Sequence, residues 1–323
     1  MNRNEELFNE ARSLWESSKG NSSTGIWQYL SGKYGESAES IRSWFKRERK
    51  KRGIEKESMR TMQQGIRIGY FDLETLPLKI SGHLWAIRDQ YIPHTMIDDS
   101  WRMLGWSGKY LNDSKIYSDI MTPKEAVNRD SLRVTKSAHA FINTCDIVIW
   151  HNGDDFDARI LNSEILYYSL SPLKYRTIDT LKMIRSNFKL PSYKLDFVND
   201  YFGITSKIKN EGQALWDKCI LGDKKALKDM RYYNEGDIFS GEDLYRRIQP
   251  YCNGVPNFST YDETIEKMRC NCGGELVKDK VHPYWYTNLS KFDRLVCKEC
   301  GSIHRGRKTL LDNSSRKNLA TKL

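Results

Sequence analysis

GIRIGYFDLET, residues 65–75, is the stretch on which the reading of the chain turns. Ile66, Ile68, Tyr70 and Phe71 are β-branched or aromatic and follow a polar segment, so the stretch predicts a strand. Asp72 and Glu74 stand at its end. Two residues apart on a strand, they face one side while Leu73 faces the core. Two carboxylates aimed at one spot suit a hard divalent cation such as Mg²⁺ or Mn²⁺. Taken alone the pair is weak, because Asp-x-Glu recurs by chance and is commonly surface charge.

Two later segments raise its meaning. HNGDDFD, residues 151–157, follows the apolar run IVIW at 147–150, which places it at a strand end leading into a helix. Strand ends beside helices are where α/β proteins seat ligands. YNEGD, residues 233–237, sets Tyr233 and Asp237 four apart on one helical face. A Tyr-x-x-x-Asp on a helix is, by itself, ordinary packing. The order and spacing of the three segments together carry the inference.

In that order they resemble the DnaQ-like (DEDD) exonuclease superfamily, in its tyrosine subgroup. The resemblance extends over residues 66–250 and includes IDTLKMIRSNFKLPSYKLDFVNDYFGI and GDKKALKDMRYYNEGDIFSGEDLYRRI. It implies an RNase H-like α/β domain with a mixed sheet over residues 66–252. It implies two Mg²⁺ (or Mn²⁺) ions held by Asp72, Glu74, Asp157 and Asp237, with Tyr233 orienting the attacking water. Thr75, Leu76, Asn152 and Phe156 are then the expected contacts to the terminal nucleotide. The implied reaction is two-metal hydrolysis from a DNA 3′ end, with release of nucleoside 5′-monophosphates. At neutral pH four crowded carboxylates repel one another unless cations are bound. The chain departs from the family pattern in having Asp154 and Asp155 before Asp157; Asp157 is chosen because it follows Phe156. Asn152 has a turn role as its alternative, and His151 reads as strand-end packing.

Rival readings are an RNA exonuclease on the same fold, a catalytically silent DNA-binding protein, and a transposase or integrase with a different order of acids. No polymerase-sized region is seen, so a proofreading role would need a separate polymerase or a replication or recombination partner.

The rest of the chain divides by charge. The 323 residues carry a net charge of +10. Residues 1–65 hold 13 Lys/Arg against 9 Asp/Glu, residues 66–265 hold 26 against 27, and residues 266–323 hold 13 against 6. A near-neutral middle between two basic ends suits a polyanion; solvated tails are the plain alternative. Residues 1–60 read as three helices in a helix-turn-helix-like module, with Trp15, Trp27 and Trp44 as a loosely Myb-like core and Ser37 capping the third helix. Arg42, Lys46, Arg47 and Arg49 on that helix are the candidate DNA contacts. Residues 53–65 read as a linker. In the middle, short strands are expected near His83–Ile87, Tyr91–Ile97 and Lys115–Ser118, and one helix from the Thr122 N-cap through residue 143. Late helices are expected at 223–231 and 233–249.

Residues 265–310 read as a small zinc-ribbon-like module. Cys270, Cys272, Cys297 and Cys300 form two close pairs, suited to one structural Zn²⁺. The first pair is Cys-x-Cys, so His282 or His304 is an alternative ligand. Tyr284, Trp285 and Tyr286, with Arg305, Arg307 and Lys308, either grip a nucleic-acid strand or pack over the zinc. No apolar run reaches the roughly 20 residues of a membrane span. The polar, early-acidic N-terminus does not read as a signal peptide, so none is expected. The expectation is a cytoplasmic protein of a bacterial or phage-infected cell.

Overall fold

The structure, a computed structural model, describes residues 3–17, 24–51, 65–83, 91–204, 211–262 and 265–320. Two compact units divide at Gly65. The first has three helices, α1 (Arg3–Ser17), α2 (Thr24–Tyr34) and α3 (Ala38–Lys51). Leu7, Phe8, Ala11, Trp27, Leu30, Ile41 and Phe45 are its buried core, with Trp44 partly buried against them. Ser37 Oγ accepts from the Ser40 backbone N–H at 3.1 Å, the N-cap bond expected before α3. Arg42, Lys46 and Arg47 are exposed on α3; the side chains of Trp15 and Arg49 lie outside the described residues.

The second unit begins with β1 (Ile68–Leu76), a two-stranded pair β2 (Lys79–Ile80) and β3 (Ile97–Asp99), then β4 (Arg102–Tyr110) and β5 (Ile116–Ile120). Helices α4 (Pro123–Asn128) and α5 (Leu132–Ile142) lead to β6 (Ile147–Trp150), α6 (Asp157–Tyr167), β7 (Arg176–Asp179), α7 (Thr180–Asn187) and α8 (Leu195–Phe202). Next come α9 (Gln213–Ile220) and the 25-residue α10 (Lys224–Ile248). The main sheet has the order β5-β4-β1-β6-β7. β4 is antiparallel to β1 and β5, whereas β6 is parallel to β1 and β7.

Alternation along the central strands splits the interior in two. Phe71 and Leu73 of β1, with Val148 and Trp150 of β6, enter one cluster beside Phe141, Leu161 and Leu227. Ile68 and Tyr70, with Ile147 and Ile149, enter the other beside Ile184, Val198 and Leu244. A sheet buried on both faces by helices explains the continuous apolar run of β6. This is a mixed α/β domain of RNase H-like architecture, as expected. Beyond it, β8 (Leu276–Lys278), β9 (Tyr284–Thr287), β10 (Ser290–Cys297) and β11 (Ile303–Thr309) form a small sheet around the four cysteines, compatible with a zinc ribbon.

Several element expectations need correction. β4, which lies beside β1, was not foreseen. Residues 91–93 are irregular and His94–Met96 a 3₁₀ turn, so only Ile97 of the expected Tyr91–Ile97 strand is extended into β3. The strand expected at His83–Ile87 and most of the 53–65 linker fall outside the described residues. The helix after Thr122 is two helices, because Arg129 adopts φ 52°. Its start is as read: Thr122 and Glu125 make a reciprocal capping box. The two late helices are one, α10.

Candidate active site

β1 presents Asp72 and Glu74 half-buried at its end, on the same side as Tyr70. α10 presents Tyr233, Asn234 and Asp237, all buried, from its middle. Carboxylate oxygens of Asp72, Glu74 and Asp237 lie within 4.8 Å of one another. Three acids at that separation are a donor set for a hard divalent ion. Asn234 Nδ2 donates to Asp72 Oδ2 at 2.6 Å, fixing one oxygen of the cluster. Tyr233 is one turn before Asp237 and packs edge-on to Trp216 at 6.4 Å.

The helix comes this close to the strand for an identifiable reason. Gly241 is one turn beyond Asp237, and a Cβ there would sit 2.1 Å from the Tyr70 hydroxyl. Tyr70 and Asp72 share a strand face, and Asp237 and Gly241 share a helix face. The glycine thus sets the spacing at which the two acids meet. Buried Glu242 pairs with Lys109 of β4, and with Arg246 at 2.6 Å, tying α10 to the sheet. Glu235 binds Ser118 of β5 and Arg231.

Asp157 stands outside the three-acid group. It opens α6 and is 3% exposed; its Oδ1 accepts from the Leu73 backbone N–H at 3.0 Å. That N–H lies between Asp72 and Glu74, so Asp157 abuts the acid pair through the strand backbone. Burial, outweighing the Leu73 hydrogen bond and added to by Asp179, pushes its carboxyl up to about 7. Asp154 and Asp155 are committed elsewhere. Asp154 accepts from Trp150 Nε1 at 2.8 Å and from Lys182 Nζ at 2.9 Å. Burial opposes its ionisation, but these bonds win and hold it below the usual range. Asp155 pairs with Arg159 at 3.0 Å and Lys182 at 3.5 Å.

The loop between β6 and α6 is pinned by Asp179, which sequence reading did not single out. Its carboxylate accepts from the backbone N–H groups of Leu181, at 2.9 Å, and Lys182, as N-cap of α7. It also accepts from those of Asn152, at 2.9 Å, and Asp154, at 3.2 Å. Ile-Asp-Thr before a helix was the available signal. Asn152 is left-handed at φ 65°, the turn alternative weighed for it. His151 bridges Thr180 Oγ1 and the Tyr193 carbonyl, a structural placement. Phe156 is exposed and Thr75 half-buried. Leu76 is fully buried in the core and offers no surface to a nucleotide, which corrects that expected contact.

In the C-terminal sheet the four cysteines converge without either histidine. Cys270 and Cys300 Sγ are 3.6 Å apart, as are those of Cys272 and Cys297. A tetrahedron with bonds of about 2.3 Å has edges of about 3.8 Å, so the thiols fit zinc. Gly273 (φ 89°) and Gly301 (φ 75°) make the turns after each pair. His304 Nε2 lies 3.1 Å from Cys270 Sγ, beside the set, and His282 is exposed.

Residues 107–249 match the family model described as the RNase_H superfamily. The matched stretch includes Asp157, Tyr233 and Asp237 and begins within β4, downstream of Asp72 and Glu74. With the sheet order, it defines an RNase H-superfamily domain. The chain is also similar to the DNA polymerase III PolC-type of Ureaplasma parvum serovar 3, with 25% identity over 168 residues. That alignment covers 49% of this chain and 12% of the polymerase, a small part of its length. Among solved structures, the family B DNA polymerase of the hyperthermophilic archaeon Pyrobaculum calidifontis matches at 15% identity with a TM-score of 0.42. That match covers 58% of this chain and 25% of that one. Among the described residues no helix is long and apolar enough to cross a membrane.

Proposed function

We propose that the chain is a divalent-metal-dependent 3′→5′ exonuclease acting on DNA. One observation carries the reading: acids remote in sequence, Asp72 and Glu74 on β1 and Asp237 on α10, meet within 4.8 Å in an RNase H-like domain. Asp72, Glu74, Asp237 and Asp157 are the proposed holders of two Mg²⁺ or Mn²⁺ ions. Bound there, such ions supply a low-pKa water and positive charge against the leaving 3′ oxygen. Tyr233, on the Asp237 face of α10, is the proposed orienter of the attacking water. A free phenol titrates near pH 10, so Tyr233 is proposed as a hydrogen-bonding group rather than a base. Thr75, Asn152 and Phe156 are the proposed contacts to the terminal nucleotide. The cysteine cluster is proposed to hold one structural Zn²⁺, and α3 to bind duplex DNA through its exposed basic face.

The test uses 5′-labelled single strands and Mg²⁺. Asp72→Ala and Asp237→Ala are expected to abolish stepwise shortening from the 3′ end; shortening at the wild-type rate by either variant rejects the site. Matched DNA and RNA strands in the same assay decide the sugar preference.

A further inference from the structure

We infer that the outer face of the β9–β10 hairpin is a stacking platform for a single strand of nucleic acid, outside the acid cluster. The inference rests on the nuclease reading for the kind of polymer the protein handles, and on the hairpin's own residues for everything else.

β9 is an edge strand paired with β10, and its four residues are all exposed. Tyr284 and Tyr286 are two apart and so share a face. Their rings lie 6.4 Å apart at 66°. Lys291, opposite Tyr286 in the ladder, places Nζ 3.6 Å from the Tyr284 ring centre and 5.9 Å from that of Tyr286. Lys278 Nζ stands 5.3 Å from Tyr284. Tyr286 is 65% exposed, so it does not serve as a lid over the cysteines. Two aromatic faces held in water around an ammonium group offer stacking and charge together.

The surrounding charge selects the occupant. The acids Asp293, Asp279 and Glu275 are each paired, with Lys278, Arg294 and Lys298. Lys291, the cation lying between the two rings, has no ion-pair partner among the described residues. The uncompensated charge beside the rings is therefore positive. An acidic peptide would satisfy the cations and leave the ring faces unused. An unpaired nucleic-acid strand presents phosphates and bare base faces at once.

The experiment uses the full chain and a fluorescent single strand of roughly 20 nucleotides, longer than a single small binding fold covers, with binding read by anisotropy without added Mg²⁺. The pair Tyr284→Ala with Tyr286→Ala is expected to weaken binding about tenfold or more, because each ring is a stacking surface for a base. The pair Tyr284→Phe with Tyr286→Phe is expected to keep it. Zinc content and far-UV dichroism unchanged from wild type show that the ribbon is folded in both. Binding unaffected by the alanine pair, or lost equally with the phenylalanine pair, overturns the platform. So does poly-glutamate displacing the strand as readily as a competing oligonucleotide. Mg²⁺-dependent hydrolysis of the p-nitrophenyl ester of thymidine 5′-monophosphate, too short to reach the platform, is expected to be unchanged by the alanine pair. If no protein hydrolyses the ester, the nuclease reading fails while strand binding still scores the platform.

Discussion

Asn234 shows what a single residue contributes beyond the acids themselves. Its amide donates to Asp72 across 162 residues of sequence, from a site that is 2% exposed. Groups that orient metal-holding carboxylates commonly affect metal affinity or activity by about 10- to 100-fold. Asn234→Ala is therefore expected to raise the Mg²⁺ concentration needed for half-maximal nucleotide release by about tenfold, with Asp72 left in place. A Mg²⁺ titration superimposable on wild type would show that the amide only fills space. Its position three residues before Asp237 put it on the right helix face, so the signal existed in YNEGD. Asp157 illustrates the opposite case. Its place after Phe156 is legible in sequence, but its bond to Leu73 N–H and its burial are not.

At the scale of elements, caps were readable and packing glycines were not. Thr122, Pro123 and Glu125 announce α4 through local chemistry alone. Arg133 is the main influence on Glu125; its hydrogen bond and that of the Thr122 N–H outweigh burial and hold the carboxyl at about 2. A carboxyl lowered in the folded state stabilises the fold above its unfolded pKa, and that stability disappears as pH falls toward the folded value. Glu125→Gln is expected to flatten the loss of stability between about pH 4.5 and 2, read as the urea midpoint at each pH. An unchanged slope would place the acid sensitivity elsewhere. β4 escaped notice because Gly105 and Gly108 interrupt its apolar pattern. Those glycines are there for packing. A Cβ at Gly108 would stand 2.6 Å from the Phe141 ring, and one at Gly105 2.9 Å from the Asp119 carbonyl. α10 runs unbroken through Tyr232, where the local pattern divides it in two, because its contacts with β1, β4 and β5 hold Lys224–Ile248 as one helix.

Across the whole molecule, the cysteine cluster and the RNase H-like sheet depend on different forces. The sheet has two apolar clusters, whereas the ribbon buries few residues beyond Phe292, Leu295 and two of its cysteines. A strong chelator is expected to release about one zinc per chain. Amide protection should then collapse in β8–β11 while β1, β4 and β6 keep theirs in hydrogen exchange. Retained protection in β10 and β11 after the metal is gone would assign their stability to packing.

Sequence by itself marked the candidate acids and several of the short strands and helices, because side-chain identity, caps and periodicity act over a few residues. It also marked the basic ends and the two cysteine pairs. Only the tertiary structure decided that Asp72, Glu74 and Asp237 meet, that Asp157 turns to the strand backbone, and that Leu76 is sealed in the core. The first of these depends on how closely α10 can approach β1, which is set by the missing side chain of Gly241 against Tyr70 and by the hydrogen bond from Asn234. Contacts between residues so far apart in the chain leave no local trace in it.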